Sequence, residues 1–146
     1  DLDITLDHVT DGYRVADILK EVGAKIIIGP LLCDRSKPEL YSLSMENPRK
    51  LQEAGLEFAI MTDHPVNPEP YLRVVAALAV REGLEEWTAL RAITSTAACI
   101  LGVEDRVGSL EMGKDGDVVL FDGHPFALES RVQKVFVDGN QVYNRA

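Results

Sequence analysis

Two apolar runs in the 146-residue chain end in residues suited to metal chemistry, Leu6-Asp7-His8 and Met61-Thr62-Asp63-His64. A neutral imidazole and a carboxylate together suit Zn2+, a cation that lowers the pKa of bound water to about 7. The Asp63 carboxylate can in addition accept the water's proton. The carboxyl ends of parallel strands share one face, so His8 and Asp63 can converge although they stand far apart in the chain. The plainer alternative is that each is a helix cap or a hydrogen-bonded loop residue. His64 is expected to contact substrate or to support a ligand, because adjacent side chains diverge. Arg35, Lys37 and Glu39 stand together in a polar stretch. Arg35 is the candidate to clamp a substrate carboxylate through two parallel hydrogen bonds, and a solvated charged loop is the alternative. His124, in Asp122-Gly123-His124-Pro125, reads as structural. Gly108 to Lys114 has phosphate-loop spacing, but Asp115 stands where Ser or Thr would hold Mg2+ and no helix follows, so that match is accidental.

These residues need elements to carry them. Residues 3 to 8 read as a buried strand, followed by a helix capped by Thr10 or Asp11, with Val15, Ile18, Leu19 and Val22 at helical spacing and a stop at Gly23. Ile26-Ile27-Ile28, bounded by glycine and proline, reads as a strand covered on both faces. Strand, helix, strand implies parallel pairing. Residues 30 to 47 form a long polar connection, which in compact domains is usually functional. Pro48 opens a short helix that ends at Gly55, and Phe58 to Met61 forms a third strand. Helices are expected from Leu72 to Gly83 and from residue 85 to 101, the second with Trp87, Leu90, Ile93, Ala97 and Ile100 on its apolar face. Beyond residue 105, glycine-punctuated strand material from Gly108 onward leads to a strand ending at Phe121. A hairpin around Asp138-Gly139-Asn140 completes a small antiparallel module.

Charge narrows the class. Lys and Arg number 15 against 24 Asp and Glu, a formal charge of -9, which repels nucleic acid and anionic lipid surfaces. No apolar run approaches the ~20 residues of a membrane span, and no signal segment opens the chain. A cytoplasmic protein is expected. Cys33 and Cys99 form neither a disulfide framework nor a metal-type pair and read as buried or half-buried thiols. The chain opens at Asp1 directly into strand material, as if entered part-way through a larger protein.

The order of these segments resembles the C-terminal part of the metal-dependent amidohydrolase superfamily, in particular its imidazolonepropionase-like branch. The resemblance rests on His8, on Gly29-Pro30-Leu31-Leu32, on Thr62-Asp63-His64-Pro65, on Ala89 to Thr94 with Ala97-Ala98, and most specifically on Gly108-Ser109-Leu110-Glu111-Met112-Gly113-Lys114-Asp115-Gly116-Asp117. It implies an α/β fold. Residues 1–104 would be the sixth to eighth strands, with their helices, of a TIM-type (β/α)8 barrel, and residues 105–146 part of a small composite β-sandwich. By resemblance, His8 matches the sixth-strand His, which binds metal or touches water or substrate. Asp63 matches the eighth-strand Asp, a ligand that also activates the hydrolytic water. The implied activity is hydrolysis of an amide or cyclic amide C–N bond in a small molecule by metal-activated water, the divalent metal being zinc.

The family's His-x-His pair has no counterpart here, and two ligands fall short of the three a catalytic zinc normally takes. The chain is therefore expected to be a fragment, inactive alone. Three strands cannot close a barrel, so a homo-oligomer or a missing N-terminal segment is expected to cover the open strand edges. The rival readings are a non-catalytic open α/β domain that binds a small anion or a partner at the strand ends, and a deaminase on the same scaffold.

Overall fold

The computed structural model describes residues 3–146; residues 1 and 2, with which the expected barrel unit opens, lie outside them. Three short strands, β1 (Thr5–Leu6), β2 (Lys25–Ile28) and β3 (Ala59–Ile60), form a parallel sheet in that order. Thr5 pairs with Lys25, and Ile27 with Ala59. The pairing is parallel because each connection is long enough to carry a helix, α1 (Ala16–Glu21) after β1 and α2 (Asn47–Glu53) after β2. Ile26 and Ile28 are completely buried and Ile27 half-buried, as the continuous apolar run requires. Helices α3 (Leu72–Arg81), α4 (Glu86–Ala92) and α5 (Ser95–Leu101) follow, and all three pack on β3. Val75, Ala76 and Ala79 bury the inner face of α3 with Leu51, Leu84 and Ala89.

Four sequence expectations change in detail. The strand over residues 3 to 8 shrinks to two paired residues and is exposed, because it lies at the open edge of the sheet. Helix α1 begins at Ala16 after one 3-10 turn over Gly12–Arg14 and has no side-chain cap; the Thr10 hydroxyl donates to the Glu39 carbonyl instead. Of its apolar residues only Leu19 is buried, while Val15, Ile18 and Val22 are 44%, 59% and 66% exposed. The helix expected over residues 85 to 101 is two helices. Thr94 breaks it: its hydroxyl donates to the Leu90 carbonyl at 2.7 Å and its backbone leaves the helical region at φ -137°, ψ -97°. Trp87 consequently sits outside the core, 62% exposed. Finally, residues 108–110 form bends and turn, not strand.

An antiparallel sheet of β4 (Val118–Phe121), β5 (Val132–Val137) and β6 (Asn140–Asn144) ends the chain. Asp138 and Gly139 close its hairpin with φ of 50° and 73°, the two positive values that a two-residue turn of matching twist demands. The segment after β4 ties this sheet to the helices. The Arg73 guanidinium on α3 donates to the Pro125 and Ala127 carbonyls, and His124 Nε2 lies 3.0 Å from Glu86 on α4. Among the described residues, no helix is long and apolar enough to cross a membrane.

Candidate active site

His8 stands two residues beyond β1, where the chain leaves the sheet in a left-handed conformation, φ 72° at His8 and 20° at Val9. The Gly29 amide at the end of β2 donates to the His8 carbonyl at 3.2 Å, extending the sheet's bonding by one step. Beyond β3, the Met61 amide donates to the Ile28 carbonyl, and Asp63 turns left-handed at φ 56°. The turn it opens closes through Val66 N–H to the Asp63 carbonyl at 2.8 Å. The buried Asn67 amide side chain ties that turn to the Leu32 carbonyl after β2.

The two strand ends bring His8 Nε2 to 3.4 Å from Asp63 Oδ2. Their side chains are 57% and 32% exposed, and an ion pair that exposed contributes only about 0–1 kcal/mol. Backbone held in sparsely populated regions costs roughly 1–3 kcal/mol per residue. The strain exceeds what the pair returns in stability, so folding stability does not account for the arrangement. A shared cation does account for the spacing. Donors about 2.0–2.2 Å from a tetrahedral Zn2+ stand about 3.4 Å from one another, and imidazole with carboxylate is a donor set zinc accepts. Among the described residues no third His, Cys, Asp or Glu completes a cluster with them.

The pair opens onto a cavity of about 490 Å3, within the ordinary range for small-molecule sites. Pro30, Leu40 and Val66 supply its apolar wall, and Thr10, Cys33, Asp34, Ser36, Lys37 and Glu39 its polar one. Burial pushes the Cys33 thiol above its usual pKa, and the Asp34 and Asp63 carboxylates push in the same direction. Asp34 is held below the usual carboxylate range, first by the Ser36 hydroxyl at 2.6 Å, then by the Ser36 amide.

Among the residues singled out in the sequence, His8, Asp63, Lys37 and Glu39 line this cavity; His64 and Arg35 do not. His64 is exposed, and its Nδ1 accepts from the Glu69 amide at 3.4 Å. The Arg35 guanidinium donates to the Leu43 carbonyl at 2.7 Å, closing its own loop. Asn47, which the sequence places in the polar connection, is fully buried at the start of α2 and bonded to the turn after His8. The only signal for it in the sequence is its place immediately before Pro48, at a helix start.

The Amidohydrolase family model matches residues 13–143, and the chain belongs to that family. An imidazolonepropionase from Thermoanaerobacter pseudethanolicus is 33% identical over 125 residues, 82% of this chain and 28% of its own length. The crystal structure of an amidohydrolase from Thermotoga maritima MSB8 superposes with a TM-score of 0.91 at 44% identity, over 94% of this chain and 36% of that one. A zinc-bound adenosine deaminase from Xanthomonas campestris superposes at 0.61 with 25% identity, over 90% of this chain and 34% of that one. The chain thus spans about a third or less of the curated relatives it matches. Its three parallel strands with their helices are a portion of a TIM-type barrel, followed by a small antiparallel sheet.

Proposed function

We propose that this chain carries part of the active site of a metal-dependent hydrolase acting on amide or cyclic amide C–N bonds of small molecules. The observation that carries the reading is the 3.4 Å approach of His8 Nε2 to Asp63 Oδ2 at the mouth of a substrate-sized cavity. The relatives named imidazolonepropionase and amidohydrolase support hydrolysis, and the zinc-bound neighbour supports zinc as the metal. When bound, a divalent cation supplies the Lewis acidity that makes water nucleophilic near neutral pH. His8 and Asp63 would hold it from one side, which leaves at least one further ligand to come from outside the described residues. Asp63 has a second task, to take the proton of the attacking water and return it to the departing nitrogen. Lys37 and Glu39 on the cavity wall orient polar groups of the substrate. In this reading residues 1–104 form the barrel portion, and residues 105–146 belong to a β-sandwich.

Equilibrium dialysis against Zn2+ tests the metal half of the reading. About one zinc per chain is expected in the wild type, with the affinity lost in Asp63→Ala and reduced in His8→Ala. Equal zinc content in all three chains contradicts it. The hydrolytic half is tested by exchanging this chain for its matching segment in the Thermotoga maritima amidohydrolase and assaying a panel of amides and cyclic amides. Hydrolysis that survives the exchange and disappears with Asp63→Asn is expected; hydrolysis indifferent to Asp63→Asn contradicts the reading.

A further inference from the structure

The segment that carries His8 has no regular structure to hold it. Between β1 and α1 the chain makes two residues of positive φ, His8 and Val9, before the 3-10 turn over Gly12–Arg14. A β-branched residue is a poor occupant of that conformation, so contacts from elsewhere must fix it. At His8 the Gly29 amide does so from β2. At Val9 the holder is a side chain. Asn47, fully buried, donates from Nδ2 to the Val9 carbonyl at 2.8 Å and accepts at Oδ1 from the Tyr13 amide at 3.0 Å. One carboxamide therefore grips the turn on both sides of Gly12. The turn is closed tightly around that glycine, where an added Cβ would lie 2.4 Å from Val9 Cγ1.

An apolar side chain of similar size would fill the same space. Only an amide can give a hydrogen bond to a carbonyl and take one from an N–H at the same time in this geometry. We propose that Asn47 is a positioning residue whose carboxamide clamps Val9 to Tyr13, so that the His8 imidazole stands against Asp63. It touches neither substrate nor metal and acts through the backbone that follows His8. Its consequence for metal affinity rests on the functional reading above; its effect on the His8–Asp63 approach does not.

The test compares the wild-type chain with Asn47→Asp and Asn47→Ala by NMR and by Zn2+ calorimetry. Asn47→Asp keeps an acceptor for the Tyr13 amide but sets an oxygen against the Val9 carbonyl. In the wild type, nuclear Overhauser contacts are expected between the His8 ring and the Asp63 β-protons. Both variants should lose these contacts while the methyl signals of Ile26 and Ile28 keep their positions. The Zn2+ dissociation constant should rise about tenfold or more, as when a ligand's supporting partner is removed. Should the alanine chain not fold, the aspartate chain carries the test. Ring contacts of wild-type strength in Asn47→Asp overturn the proposal, as does their absence from the wild type. Wild-type ring contacts without any zinc binding remove the functional reading and leave the positioning role standing. Zinc bound equally by wild type and Asn47→Asp removes the positioning role and leaves the functional reading.

Discussion

His8 and Asp63 face one another from backbone that most side chains avoid, with φ of 72° and 56°. Glycine occupies that region without steric cost, whereas other residues there lose about 1–2 kcal/mol. His8→Gly should therefore leave thermal stability unchanged or raise it by up to about 1 kcal/mol while abolishing zinc binding; a destabilisation of that size would mean the imidazole is a structural group. Cys33 gives a second prediction at this scale. Its thiol pKa is raised, chiefly by burial, so at neutral pH it holds less thiolate than an ordinary cysteine, and its reaction rate climbs only at higher pH. Iodoacetamide followed by peptide mass mapping should label the exposed Cys99 before Cys33 at pH 7, with the gap narrowing as pH rises. The meeting of His8 and Asp63 was legible in the sequence because parallel strands end on one face. The burial of Asn47 was not, since it is decided by main-chain groups 34 and 38 residues away.

The elements owe their register to a few close approaches. At Gly29 an added Cβ would lie 2.4 Å from the Met61 carbonyl oxygen, and φ there is 147°, so β2 and β3 can run side by side into the site only with glycine at this point. Gly29→Ala should push the strand ends apart, lowering the melting temperature and weakening zinc binding together; loss of one without the other would separate register from site. Helix α4 depends on Glu85, whose carboxylate accepts from the Trp87 and Thr88 amides at 3.0 and 2.6 Å and is held below its usual pKa by those bonds. A depressed folded-state pKa means stabilisation that is complete above the ordinary glutamate range and is lost as pH falls through the folded value. The melting temperature of the wild type should therefore fall more steeply than that of Glu85→Ala between pH 5 and about pH 3. Strand β2 and the Asp138-Gly139 hairpin were plain in the sequence, because a doubly covered strand is continuously apolar and a two-residue turn demands positive φ. The break at Thr94 was not, because Ile93 and Thr94 fall within an unbroken apolar period while a side-chain hydroxyl diverts the helix.

At the scale of the whole molecule, apolar periodicity marks which residues seek a partner, not whether the partner is present. Val15, Ile18 and Val22 have the spacing of a buried face, yet they are exposed beside the open edge of β1. The antiparallel sheet is attached to the helices chiefly by polar contacts, Arg73 to the Pro125 and Ala127 carbonyls and His124 to Glu86, with Phe126 against the core. Hydrogen bonds from a charged group contribute roughly 1.5–3 kcal/mol. Arg73→Ala should accordingly raise amide exchange across β4 to β6 and leave β2 protected; uniform loss of protection would show the two sheets unfolding as one unit. The account as a whole stands on one cation shared by two distant side chains, and anomalous diffraction at the zinc edge from zinc-soaked crystals tests that most directly. The expected peak lies between His8 Nε2 and Asp63 Oδ2, about 2.0–2.2 Å from each. A peak held by neither residue, or none at all, would contradict the account.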